Sequence, residues 1–224
     1  VSESAIDFNG ITQDLAGIKA AAQASGNYYA ASGKEGYHIV LKTNDTYDIY
    51  RVNKQQNLGN SCKDPGVPPK ATDPDWGQWT IKTSAGETFL YNRAFPADGM
   101  IFVEDHVWVE GTINSAHVTI GAGKFPDSVA TRKHIIITGD VRYTNYDGQD
   151  SIALIAQDDV TIGLYSEDDL RIDAALAAQN GRVGRNNYSS NAQCSSHSEK
   201  TQLTIYGTIV SNEEFTFYNI ASDS

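Results

Sequence analysis

Cationic side chains are scarce in this chain of 224 residues. Lys and Arg number 17 against 28 Asp and Glu, leaving a net charge of −11. That balance works against a nucleic-acid surface of the ordinary phosphate-neutralising kind, whose affinity rests on Lys and Arg contacts. Arg132, Lys133, Arg182, Arg185 and Lys200 hint at a local basic patch, against a background of scattered solubilising charge. Long apolar runs are also missing: no stretch of about 18 apolar residues occurs, so no membrane-spanning helix is expected from the residues given. The sequence begins at Val1 without a methionine, which suggests a processed or truncated product whose targeting segment has been removed.

Cysteine is nearly absent. Cys62 and Cys194 are the only two, both in polar loops, and their spacing makes no zinc motif. A structural disulfide formed in an oxidising compartment is the favoured reading, with two unrelated free thiols as the alternative.

A seven-residue phrase recurs instead. It reads Val107-Trp-Val-Glu-Gly111-Thr-Ile113, Ile135-Ile-Ile-Thr-Gly139-Asp-Val141 and Leu203-Thr-Ile-Tyr-Gly207-Thr-Ile209, with echoes at Val118-Thr-Ile120-Gly121 and Val160-Thr-Ile162-Gly163. Alternating aliphatics punctuated by glycine describe short strands that stack. The glycines of the three copies lie 28 and 68 residues apart. Such uneven spacing predicts a right-handed β-helix with rungs of roughly twenty or more residues and variable loops; a β-sandwich is the competing fold. Strands are expected over 100–103, 107–113, 118–120, 135–143, 152–157, 160–162, 170–177 and 203–210.

The first 98 residues read differently. Ile6, Phe8, Ile11, Leu15, Ile18, Ala21 and Ala22 recur at helical spacing over Ala5–Ser25, and Gly26-Asn27 ends the pattern. Hairpins are expected from 37–41 with 46–52, and from 79–83 with 87–91 across Ser84-Ala-Gly86. A long polar loop covers 53–75, and a second covers 181–201. The expected organisation is a small α+β unit over 1–98 and a β-helix over 99–224.

Chemistry-bearing candidates are few. Asp147, Asp150, Asp158, Asp159, Glu167, Asp168 and Asp169 have the residue types of calcium ligands or of a sugar-cleaving carboxylate pair, but match no calcium-loop motif and also suit solvated turns. His106, His117 and His134 each open a strand and could align as a ladder, either a metal platform or repeated turn chemistry. His38 and His197 are the other two histidines. Ser195-Ser196-His197 lacks the glycine-flanked elbow of a nucleophile. Trp76, Trp79, Tyr28 and Tyr29 could form an aromatic platform for glycans, or pack in a core.

Phe8-Asn-Gly-Ile11-Thr-Gln-Asp14-Leu15-Ala-Gly-Ile18-Lys19-Ala-Ala-Ala-Gln23-Ala-Ser-Gly26, followed by Gly36-Tyr37-His-Ile39-Val, resembles bacterial pilin-like surface proteins. So do Ile101-Phe-Val-Glu-Asp-His-Val-Trp-Val-Glu-Gly111-Thr-Ile113 and Ile152-Ala-Leu-Ile155-Ala156-Gln157. The pattern, spread over most of the chain, is similar to the extracytoplasmic part of PilX-like type IV pilus assembly proteins, without their leader and hydrophobic helix. The resemblance implies an extracellular, pilus-associated, non-catalytic module, a minor pilin or tip adhesin. Its implied partners are other pilin subunits or a surface glycan or protein, with membrane attachment only through the missing helix. It implies no metal and no cofactor. The alternatives are a β-helical polysaccharide lyase or hydrolase, which requires two or three aspartates to converge in one groove with a lysine or arginine, Asp158, Asp159 and Arg171 being the first candidates, and a glycan- or DNA-binding module without catalysis.

Overall fold

A computed structural model describes residues 8–56, 62, 78–188 and 194–217. The expected helix start at Ala5, Trp76, and most of the 53–75 loop lie outside those residues, as does the middle of the 181–201 loop. The chain is mainly β, in two sheets. A helix α1 (Phe8–Ser25) leads into β1 (Tyr28–Tyr29), β2 (Gly36–Leu41), β3 (Thr46–Val52) and β4 (Glu87–Ala94). There follow β5 (Met100–Val103), β6 (Val107–Ile113), β7 (His117–Ala122), β8 (Ile135–Tyr143), β9 (Ser151–Ala156) and β10 (Val160–Ile162). The last elements are β11 (Asp169–Asp173), β12 (Ala175–Ala178), β13 (Val183–Arg185), a short helix α2 (Ser195–Ser198), β14 (Gln202–Tyr206) and β15 (Ile209–Ser211).

The first sheet runs β1-β5-β7-β9-β12-β15, and every pair in it is parallel. The second runs β13-β10-β8-β6-β2-β3-β4. It forks at β8, whose start pairs with β10 and whose Val141 pairs with Ile172 of β11, which in turn pairs with β14. Among the named strands, antiparallel pairing, the rule in a β-sandwich, occurs only in β2–β3 and β3–β4. From β5 onward the chain passes back and forth between the sheets. Register partners lie 19 residues apart at Met100 and Thr119, 28 at Val107 and Ile135, and 34 at Thr119 and Ala153.

The inward residues of both sheets form one buried cluster. It begins at Tyr29 and continues through Ile39, Ile101, Val109, Ile137, Leu154 and Leu176 to Val183, so residues before and after position 98 share a core. Strand β9 shows the expected period of two, with Ile152, Leu154 and Ala156 buried. Each sheet also has a cover outside. Leu15, Ile18 and Ala22 of α1 press on Phe102 of the first sheet, and full burial of such a side chain contributes about 1.5–3 kcal/mol. Trp79 lies against Trp108, Ile136 and Val52 outside the second sheet.

Two expectations are corrected. Residues 79–83 do not form a hairpin with β4. Trp79 is drawn into the core, where its carbonyl accepts the Trp108 indole at 2.8 Å; β4 pairs with β3 instead, and Ile81 keeps a single bridge to Gln55. The expected strands 170–177 and 203–210 each divide into two, because the chain turns there from one sheet to the other: a Cβ on Gly207 would stand 2.0 Å from the Ala174 carbonyl oxygen of the preceding layer. The three copies of the phrase mark strands but not equivalent layers. Val107–Val109 align with Ile135–Ile137, then the register slips and Gly111 faces Val141 rather than Gly139. Ile205 of the third copy stacks on Ile172, which faces that same Val141.

Candidate functional site

The two cysteines are bonded to each other, with Cα atoms 5.4 Å apart. Both are fully buried, beside Leu164 and Tyr188, and the free-thiol alternative falls away. Arg185 lies over the Tyr188 ring and donates to the carbonyls of His197 and Ser198. His197 packs its ring on Tyr165, with centroids 4.1 Å apart, within α2 rather than in a nucleophile's triad.

Of the three strand-opening histidines, two align. The residues preceding β6, β8, β10 and β13 are His106, His134, Asp159 and Arg182, one per layer. The His134 N–H donates to His106 Nδ1 at 3.2 Å, the Asp159 N–H to His134 Nδ1 at 3.2 Å, and the Arg182 N–H to Asp159 Oδ1 at 2.7 Å. The two imidazoles stack at 5.1 Å, each 5.0 Å from Trp79. Burial pushes His106 well below its ordinary pKa, and the charges of His134 and Lys133 push it the same way, so the ring stays neutral and accepts at Nδ1. Each Nδ1 lone pair is thereby spent on the next layer. His117 lies apart on β7, exposed and bonded to Ser151 Oγ at 2.7 Å, at the rim of a recess of about 250 Å³ shared with Asp45, Phe95 and Asp98.

Other candidate carboxylates have partners as well. Asp150 caps Ala116 N and Asn145 N, Asp147 accepts from Gln149, and Asp168 pairs with Lys200. Among the described residues, no group of three or more His, Cys, Asp and Glu is placed to hold a metal ion. Arg171 is not brought to Asp158 and Asp159. Those two face His134 at the start of β8, whereas Arg171 donates its backbone N–H to Asp140. The two sites are six positions apart along β8, up to about 20 Å of strand. The basic residues form no open patch: Arg132 pairs with Asp127, Lys133 with Asp105, and Lys200 also donates to Ser166 O.

The aromatic platform forms elsewhere than expected. Trp79 and Tyr29 are buried, and the Tyr28 hydroxyl is tied to Glu104 at 2.7 Å; burial and that carboxylate together push its phenol up to about 12. Instead Tyr146 and Tyr206 gather on the outside of the fork in the second sheet, against the edge of Tyr143, which packs on the core. Tyr146 and Tyr206 are 50% and 53% exposed, with rings 5.2 Å apart at 85°, and Tyr143 stands perpendicular to Tyr206 at 6.4 Å. Beneath them Asp173, wholly buried, accepts from Tyr146 Oη at 2.7 Å, Tyr143 N at 3.1 Å and Arg171 Nε at 2.9 Å. The guanidinium lies over the Tyr146 ring at 5.1 Å. Sequence reasoning missed this corner because its members come from β8 and the loop after it, β11 and β14. The signal is the register, which sets Asp173 opposite Tyr206.

A second outward cluster centres on His38. Its Nδ1 meets Glu87 Oε2 at 2.8 Å and its Nε2 faces Glu110 Oε1 at 3.5 Å, with the Tyr50 ring tilted beside it and Phe89 edge-on to Tyr50. Burial disfavours the charge, but Glu110 and Glu87 outweigh it and raise the imidazole to about 9. No protein-family model matches this chain, nor does any curated protein or solved structure.

Proposed function

We propose that this chain is an extracellular structural or adhesive module built as a right-handed β-helix, serving as a minor pilin or tip adhesin in a type IV pilus-like assembly. The observation that carries the reading is the layer-to-layer ladder through His106, His134, Asp159 and Arg182. Side chains with catalytic or ligand-binding chemistry are used there to fix one layer on the next, as a rigid spacer requires. Parallel strands visited alternately are supplied by a helical coil, and parallel crossovers are right-handed in about 98% of cases. The Cys62–Cys194 bond fits an oxidising, extracellular compartment, and no helix among the described residues is long and apolar enough to cross a membrane. The pilus-like assignment rests on the resemblance in the sequence; its partners would be other subunits and a surface glycan or protein.

Immunogold labelling of the native cell with antibody raised against this chain tests the reading. Label on surface filaments is the expected outcome, and label confined to the cell interior sinks it.

A further inference from the structure

We infer that the corner formed by Tyr146, Tyr206 and Arg171 is a binding site for a neutral saccharide. The inference deepens the adhesive reading above by assigning the chemistry of the adhesive contact.

Single exposed apolar residues are ordinary, whereas contiguous ones mark contact sites. Here two half-exposed rings meet close to a right angle, 5.2 Å apart, with a third ring behind them. The arrangement is held from below. Asp173 is inaccessible, and it fixes the Tyr146 hydroxyl and the Arg171 guanidinium at the same carboxylate. Ring and cation are thus set before any ligand arrives, which lowers the ordering cost of binding. Tyrosine suits such a contact because it offers a large amphipathic surface with few rotatable bonds.

Charge selects among ligands that stack on aromatic rings. Nucleic-acid bases do so, but their phosphates demand cations. This face carries Asp140, Asp169 and Glu167 beside Arg142 and Arg171, within a chain of charge −11. Burial, with the charges of Asp140 and Glu110, raises the Glu167 carboxyl, consistent with a negative local field. Arg142 is already paired with Asp140. A neutral sugar meets no such penalty. It presents an apolar C–H face to a ring and hydroxyl groups to the polar rim, where Thr204 stands opposite Arg171 in register.

The test uses the whole disulfide-bonded chain. It is screened on neutral hexose and N-acetylhexosamine oligosaccharides beside uronic-acid and sulfated ones and single-stranded DNA, and each bound probe is titrated by calorimetry. The expected result is binding to a neutral oligosaccharide that changes less than about two-fold between about 50 mM and about 500 mM NaCl, unlike a phosphate contact. Tyr206→Ala should weaken it at least about ten-fold, Tyr206→Trp should retain it, and Tyr91→Ala, at a separate exposed tyrosine on β4, should leave it unchanged. A melting temperature matching the parent confirms that Tyr206→Ala folds. Failure of every neutral probe, binding to anionic probes alone, or full binding by folded Tyr206→Ala overturns the site. None of these outcomes moves the immunogold result, so the site and the surface role fail separately.

Discussion

Between Glu87 and Glu110, the imidazole of His38 holds a proton that burial alone would expel. Its value of about 9 in the folded chain stands above the ordinary 6.5, so folding takes up a proton between those pH values. The resulting stability is fully present below pH 6.5, declines as pH rises toward 9, and is lost above it. At roughly 1.4 kcal/mol per pKa unit, the contribution is on the order of 3 kcal/mol. Urea unfolding at about pH 6 and about pH 10 should therefore show a loss larger by that order in the parent than in His38→Gln. Equal losses in the two proteins would remove the ion pairs from the account. Nothing in the sequence singles out His38 from the other four histidines, because Glu87 is 49 residues away and only the β3–β4 pairing brings it near.

At the scale of elements, one substitution has opposite signs in two places. Gly111 of β6 has φ +113°, and a Cβ there would lie 2.2 Å from the Leu41 carbonyl oxygen of β2. Gly111→Ala should cost roughly 2–4 kcal/mol through strain and displaced backbone. Gly17 lies in α1 with no atom within 4 Å of the added carbon, so Gly17→Ala should stabilise by about 0.5–1 kcal/mol. Thermal melting of both variants checks the pair; a Gly111→Ala melting point at or above the parent's contradicts the close approach of β2 to β6 at Gly111. The same elements show what the sequence could convey. Helix α1 and strands such as β6, β8 and β10 are legible, since period and glycine punctuation are local properties. The breaks at Ala174 and Gly207 are not, because a corner is set by the layer stacked against it. Pairing of β4 with β3 was hidden for a related reason: Ser84-Ala-Gly86 looks like a hairpin turn, yet Gly86 O accepts from Asn53 and Lys54. The tyrosine corner was invisible, its residues adjacent only once β8, β11 and β14 are aligned.

For the whole molecule, the cysteines join distant layers. Cys62 lies between β3 and β4, Cys194 between β13 and β14, and 132 residues separate them. Reduction should cost about 2–5 kcal/mol, measured by urea unfolding with and without reductant, with alkylation mass reporting the thiols. The bond also bypasses everything from β4 to β13. Stretched from its ends, the chain carries load through the sulfur atoms while the enclosed strands feel no tension. Roughly 450 Å of contour is withheld from extension until the bond is cut. In single-molecule pulling, reductant should add a lengthening step of that size; traces of equal length in both conditions would show that the bridge does not bear the force. A module tethered at a surface would keep its middle layers, His106–His134 ladder included, folded under pulls that peel its ends.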